Sequence, residues 1–427
     1  MAISSSPKVS RRTVATVLLA GVAAIGVGVG AQNAPKPAAS PAPAAAAPVP
    51  ASSGNDIRIG VINPFTGPSA DIGTASRNGT ALAAAEINSR GGIDGRKIVL
   101  VQYDDKGDPN TGVQAAQEAI SKGNLHAVVG IANNEVGVKV LPLLQKAKIP
   151  TMITSSVGSA PAMMTQYYTE PQSYVFRSQP PDYVQLQTVV AQLVADGAKS
   201  VAVFADDTPF GESSKKTLDT LLEAAGIQVA YLNRYPVGVT NMDHAAMVAR
   251  KTKPDGIVIL GIGYDQSALK LAMNRIGWRK DLYGMYSLSQ SDYLDILGSI
   301  ADGTRMAMTF SMDSKRPTAV HFLNNYFRFI NSSKFTSPQS AAVGYDGMYL
   351  LALAIQQAKS LDGTKIAQSL ETLEKPYYGI MRDYVKPFAR GQHEAFPNTE
   401  HLFMAYAKNG QVVREPETYK NPGYNLK

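Results

Sequence analysis

The chain has 427 residues, 44% hydrophobic and 18% charged, an ordinary globular composition with length for two or three domains. Cysteine is absent, which excludes disulfides, thiolate zinc sites, cysteine nucleophiles and a lipid-modified cysteine anchor, and 5 histidines make a multi-histidine metal site a poor expectation. The formal net charge of +7 is spread thinly, with no dense basic run, so it is no nucleic-acid footprint.

Residues 1–12 are polar and basic, carrying Lys8, Arg11 and Arg12, and residues 13–31 (TVATVLLAGVAAIGVGVGA) are almost continuously apolar or glycine. With small residues at Val29-Gly30-Ala31, residues 1–31 have the three-part pattern of a secretory signal peptide. The apolar run nearly reaches membrane-spanning length, but its Gly and Ala content favours a cleaved signal over an anchor. Ser10-Arg11-Arg12 hints at the twin-arginine route. Residues 32–54 are Pro/Ala-rich and predict a semi-extended linker.

Residues 57–105 predict a strand (57–62), a loop rich in Gly, Pro, Ser and Asp (63–71), a helix (73–90) stopped by Gly91-Gly92, and a second strand (97–103). That is a βαβ unit. An amphipathic helix follows over 109–121, with Val113, Ala116 and Ile120 as its apolar face. A strand at 126–129, a helix at 135–146 and strands at 151–154 and 174–177 continue the alternation. Small polar residues follow three strands, at 66–69, 133–134 and 155–159. Parallel strands with right-handed crossovers bring those loops to one sheet edge, where open α/β sheets bind ligands. A second alternating series covers strands at 201–205, 228–234, 256–260 and 282–285 and helices at 212–225, 243–251 and 266–276. From Arg305 the pattern turns helical, over 320–331, 341–359 and 365–373. The stretch HLFMAYAKNGQVV predicts a closing hairpin across Asn409-Gly410.

The TGP turn, the helix ending EINSRGGIDGRKI, the closing YDDKGDP, and later RSQPPDYVQ, FADDTPFGES and GYDGMYLLALAIQQAK resemble the leucine/isoleucine/valine-binding proteins of ABC import systems. The resemblance covers nearly the whole chain beyond the linker. It implies an α/β fold of two similar lobes, each a parallel-sheet α/β sandwich, joined by a three-crossover hinge: the type 1 periplasmic binding fold. Lobe 1 would comprise residues 55–179 and 312–402, and lobe 2 residues 183–309 and 403–427, with crossings near 179–182, 309–313 and 401–404.

In that family a cleft between the lobes closes on the ligand. First-lobe helix amides and hydroxyls hold its carboxylate; a carboxylate and tyrosines hold its ammonium. Carried across, a family serine falls on Asn134, with the amides of Glu135 and Val136 pointing the same way; Asn133 and Asn134 read equally well as plain N-caps. Ser159 takes the place of a threonine hydroxyl, and Ser156 or Val157 that of a backbone contact, with the register open by one residue. On the ammonium side one tyrosine position holds Ile72, another Phe210, and the third keeps Tyr264. The family's glutamate falls within YSLSQ, around Ser287, which has no acid. Asp265 and Asp207 are the nearest substitutes. Phe65, Phe210, Tyr264 and Tyr286 suit an apolar or aromatic ligand body. Arg177 and Asp182 at the first crossing orient the hinge, touch ligand, or form a structural ion pair.

The expectation is an exported, periplasmic, monomeric receptor. It would deliver a branched-chain or hydrophobic amino acid, or a related carboxylate including aromatic ones, to the membrane permease of an ABC importer. No cofactor, metal, nucleic-acid partner or enzymatic activity is expected. A ligand-sensing module of a signalling receptor would share the fold, but a single amino-terminal apolar segment and no cytoplasmic domain argue against it. An α/β enzyme is disfavoured: GIGYDQS lacks the third glycine and the acidic partner of a dinucleotide site, and GxxxxGK[ST], GxSxG and HExxH are absent, leaving His393-Glu394 as a lone pair.

Overall fold

The computed structural model describes residues 55–158, 163–262 and 265–414. The leader, the linker, Ser159 and Tyr264 lie outside the described residues. The first lobe contains β1 (Ile57–Asn63), α1 (Ala70–Ser89), β2 (Ile98–Asp104), α2 (Pro109–Lys122), β3 (Ala127–Gly130), α3 (Asn134–Lys146), β4 (Thr151–Ile153), the short α4 (Thr165–Tyr168) and β5 (Val175–Arg177). Its five strands are parallel, in the order β2-β1-β3-β4-β5. Alternation decides the two faces. Ala127, Val129, Met152 and Phe176 join the core under α1, while Ile62, Val128, Ile153 and Val175 pack under α2 and α3.

The second lobe contains α5 (Asp182–Ala195), β6 (Ser200–Asp206), α6 (Pro209–Ala224), β7 (Gln228–Tyr235), α7 (Asp243–Lys251), β8 (Gly256–Leu260), α8 (Asp265–Arg275), β9 (Leu282–Gly284), α9 (Ser291–Leu297) and β10 (Thr304–Met308). The chain then returns to the first lobe with α10 (Pro317–Ile330), α11 (Pro338–Ala358), α12 (Gly363–Glu371) and a small hairpin, β11 (Tyr377–Tyr378) with β12 (Asp383–Tyr384). The last described elements, β13 (Phe403–Lys408) and β14 (Gln411–Arg414), lie in the second sheet. That sheet runs β14-β13-β10-β9-β8-β6-β7. Its core is parallel, but β13 and β14 run antiparallel, so the sheet is mixed at one edge. The β13–β14 turn has Asn409 and Gly410 at φ 51° and 72°, the left-handed pair a tight hairpin requires.

The chain passes between the lobes three times: at 178–181, at 309–316 and just before β13. Helix α11 lies against α1 so closely that a Cβ on Gly79 would sit 1.9 Å from the Ala341 carbonyl oxygen, and one on Gly344 2.3 Å from that of Ser76.

Three local expectations change. Helix α1 begins at Ala70, three residues early, which brings Ile72 into its first turn. Helix α2 buries Gly112, Ala115, Ala116 and Ala119 and leaves Ile120 exposed. The reason is its approach to α3: a Cβ on Gly112 would be 2.7 Å from a Val136 methyl, so only a small-residue face fits. The segment at Arg305, read as the start of the helical region, lies in strand β10.

Candidate functional site

The carboxyl ends of the two sheets face each other across a small cavity, partly open to solvent. One side carries Ile72 from the first turn of α1, Ala132 to Glu135 from the β3–α3 turn, and Ser155 and Val157 from beyond β4. The other carries Asp206, Thr208 and Phe210 from the β6–α6 turn, Gly261 and Ile262 after β8, and Met285, Tyr286 and Ser287 after β9. Each group sits where a parallel strand hands over to its helix, the edge at which open α/β sheets bind.

The three first-lobe loops are tied to one another. Asn133 Nδ2 donates to Ser69 Oγ at 3.0 Å. Asn134 Oδ1 accepts from the Gly158 amide at 3.0 Å and from Ser156 Oγ. Because Gly158 N–H can only donate, the atom facing it is the Asn134 oxygen, and the Asn134 NH₂ is left for other partners. Ser76 and Thr154 hydroxyls meet at 2.7 Å behind the loops. Among the described residues no side chain caps α3, so its first-turn amides open toward the cavity edge.

In the second lobe, Asp206 Oδ1 accepts from the Thr208 hydroxyl (2.5 Å) and amide (3.1 Å) and the Gly211 amide (3.1 Å), which shapes the turn presenting Phe210. Gln266 Nε2 donates to the Gly261 carbonyl (3.0 Å) and Ser287 Oγ (3.1 Å), fixing the β8 and β9 loops together. Tyr286 is buried, and its hydroxyl donates to the Ser155 carbonyl of the other lobe at 3.1 Å. Ser291 Oγ donates to Asp71 Oδ2 at 2.8 Å, a second bond between lobes.

Of the residues expected at the site, Ile72, Asn134, Val157, Phe210 and Ser287 line the cavity. Ser155 lines it where Ser156 was favoured; Ser156 is buried and engaged with Asn134. Asp182 is fully buried and faces α6, accepting from Ser214 Oγ at 2.9 Å. Phe65 lies away from the cavity, under the Arg77 guanidinium, with its amide bound to Asp104. Of the substitute acids, Asp207 is exposed and Asp265 is held by the Gly238 amide. The acids that line the cavity are Asp206 and Glu135; the sequence points to the Glu135 amide but not to either carboxylate. Arg177 pairs with Glu394, at 2.5 and 2.7 Å, and its Nη1 donates to the Gly158 carbonyl at 2.8 Å. Sequence alone could not have found that pair, which joins residues 217 positions apart.

The site is acidic. Burial, with the charge of Glu135 adding, pushes the Asp206 carboxyl up to about 6, against the hydrogen bonds from Thr208 and Gly211. Burial and then the neighbouring Asp71 push Asp292 up to about 7. Among the described residues no group of three or more His, Cys, Asp or Glu could hold a metal ion. No helix among them is long and apolar enough to cross a membrane.

The model of a family described as "Periplasmic binding protein" matches residues 56–410. The chain is 25% identical over 339 residues to the Leu/Ile/Val-binding protein homolog 7 of Brucella suis, covering 76% of this chain and 83% of that protein. Two solved structures are similar in fold. The branched-chain amino acid transporter substrate-binding protein LivJ from Streptococcus pneumoniae, in complex with isoleucine, superposes with a TM-score of 0.73 at 22% identity, over 84% of this chain and all (100%) of that one. A solute-binding protein of an ABC transporter from R. palustris, in complex with 4-hydroxybenzoate, gives a TM-score of 0.73 at 18% identity, over 84% of this chain and 95% of that one.

Proposed function

This chain belongs to the periplasmic binding protein family, and we propose that it is the solute receptor of an ABC importer, capturing a small ligand between its lobes and presenting it to the membrane permease. The observation that carries this is the cavity lined from the carboxyl ends of both sheets, with hydrogen bonds from Tyr286 and Ser291 joining the two lobes. Such a site holds its ligand by hinge closure. The protein binds its ligand without transforming it and acts as a monomer.

The ligand is a hydrophobic or branched-chain amino acid or a related carboxylate, the class to which the isoleucine and 4-hydroxybenzoate bound by its structural neighbours belong. Its anionic end meets the uncapped first turn of α3, the Asn134 amide, the Ser159 hydroxyl and the backbone at Ser156 or Val157. Its body meets Ile72, Val157, Phe210 and Tyr264. We assign residues 55–179 and 312–402 to the first lobe and 183–309 and 403–427 to the second. Residues 1–31 direct export to the periplasm, and 32–54 act as a tether.

Calorimetry and thermal shift against branched-chain, aromatic and polar amino acids, aromatic acids and short amides test the proposal. A bound solute raises apparent stability by mass action. Saturable binding of one class, lost in Asn134→Ala with Ser159→Ala, is the expected result. No shift across the panel, together with turnover of any member, would overturn it.

A further inference from the structure

A second cavity lies within the second lobe, at the amino ends of the parallel strands β9 and β10, the end of the sheet opposite the cleft. It measures about 580 Å³, within the range of small-molecule sites. Three cations belong to its wall. Lys270 of α8 is buried, at 7% exposure, while Arg279 is exposed and Lys280 half-buried in the loop that follows the helix. The two acids of the wall are engaged elsewhere: Asp281 Oδ2 pairs with Arg305 Nε at 3.3 Å, and Asp302 Oδ1 accepts from the Asn409 amide at 2.7 Å. Arg279 and Lys280 have no ion-pair partner among the described residues. Trp278, 8% exposed, adds an aromatic wall, and it is the one tryptophan of the chain.

An ammonium has three protons to donate, and burying it costs free energy unless they find acceptors. Lys270 Nζ donates to the Asp302 backbone carbonyl at 2.8 Å and makes no other hydrogen bond among the described residues. The charge is correspondingly strained: burial draws its pKa down to about 8, with Asp281 and Asp302 acting the other way. A buried cation with protons to spare, beside a second cation and an aromatic ring, calls for oxygens of negative charge. We propose that this cavity is a second ligand site, taking a small organic oxyanion, a carboxylate or phosphate ester, with its oxygens on Lys270 and Arg279 and its body against Trp278. The site is separate from the cleft. Strand β9 divides the two, with Asp281 before it in this cavity and Met285 after it in the cleft wall. The cleft wall carries neither lysine nor arginine among the described residues, so the two sites hold anions by different groups.

Because Trp278 is the one tryptophan, its emission reports on this cavity directly. The test is a fluorescence titration of the full chain, with selective excitation of the indole and constant ionic strength, using phenyl phosphate, benzoate and the neutral benzyl alcohol. A saturable change with at least one of the two anions, and none with the alcohol, is expected; which anion acts separates the phosphate from the carboxylate source. Lys270→Met should weaken that binding at least about tenfold, the size of one charge-assisted contact. Arg279→Ser, at an exposed side chain, is the second variant and should weaken it severalfold with melting unchanged. Asn134→Ala, in the cleft, should leave the titration as it was. No saturable response to either anion, an equal response to benzyl alcohol, or a response that both charge variants leave untouched would overturn the assignment. So would a response that Asn134→Ala removes, which would place the anion in the cleft.

Discussion

The Tyr286 hydroxyl donates to the Ser155 carbonyl at 3.1 Å, so a side chain after β9 of one lobe is bonded to the backbone after β4 of the other. The bond exists only while the lobes are together. Tyr286→Phe keeps the buried ring and removes this bond. We expect the lobes' closed form to lose about 0.5–1.5 kcal/mol, and ligand affinity to fall roughly two- to tenfold. Titration calorimetry with whichever solute binds measures this. Unchanged affinity would show that the bond contributes nothing to closure.

Arg177 and Glu394 are a buried, two-pronged ion pair, and Arg177 also anchors the Gly158 carbonyl beside the cavity. Arg177→Met would leave Glu394 buried without its counter-charge, with the Tyr168 hydroxyl at 2.6 Å still donating to it. The expected loss is roughly 3–5 kcal/mol of folding stability. Urea denaturation should show the Arg177→Met, Glu394→Met double variant closer to the parent than the single one. A double variant worse than either single change would argue against the pair.

Among the carboxyls with raised pKa values, Asp105 and Asp292 go to about 7 and Asp206 and Asp346 to about 6, burial being the largest cause in each. A raised acid keeps its proton in the folded chain at a pH where the unfolded chain has lost it. Its contribution is therefore fully present below the unfolded value of 3.8 and is lost as pH rises through 6 to 7. His126 and His401, lowered by burial, act in the opposite sense as pH falls through 6.5. The melting temperature should rise between about pH 8 and pH 6.5, below which the histidines begin to offset it. Asp105→Asn should raise melting at the alkaline end and change little at the acid end. Scanning calorimetry across that range checks both; a flat profile would count against these shifts.

Helices α1 and α11 touch through Gly79 and Gly344, where an added Cβ would fall 1.9 Å and 2.3 Å from backbone oxygens. Gly79→Ala should push the helices apart and cost about 1–3 kcal/mol, although alanine is the better helix former. Chemical denaturation gives the sign. A stabilised variant would mean the helices yield freely.

The alternating strands and helices of both lobes were legible because buried parallel strands are β-branched runs, as in IRIGVIN, and several of their helices carry strong periodicity, as α3 and α6 do. Strand β10 (TRMAM) was not, because a short run of Met and Ala has neither signal. At the site, positions set by the strand-to-helix turns were readable: Ile72, Asn134, Phe210 and Ser287 all reach the cavity. What failed depended on side-chain direction and distant partners. Ser155 and Ser156 alternate, one lining the cavity and the other tied to Asn134. Phe65 turned outward to Arg77. Asp206 shapes its own turn through Oδ1, and the direction of its second oxygen gives no signal in the chain.

Strand β13 reaches the second sheet only after α10, α11 and α12 have been laid on the first lobe, and it pairs with β10 along Arg305 to Met308. Each half of the molecule thus depends on segments made after the other half. A nascent chain that has just finished β10 has neither the α11 layer over β3 and β4 nor the outer neighbour of β10. Consolidation must wait for nearly the whole polypeptide, and its long-range closures slow it. A chain ending before Phe403 should therefore aggregate or be degraded, with no stable single lobe accumulating; recovery of a protease-resistant fragment from such a truncation would contradict this.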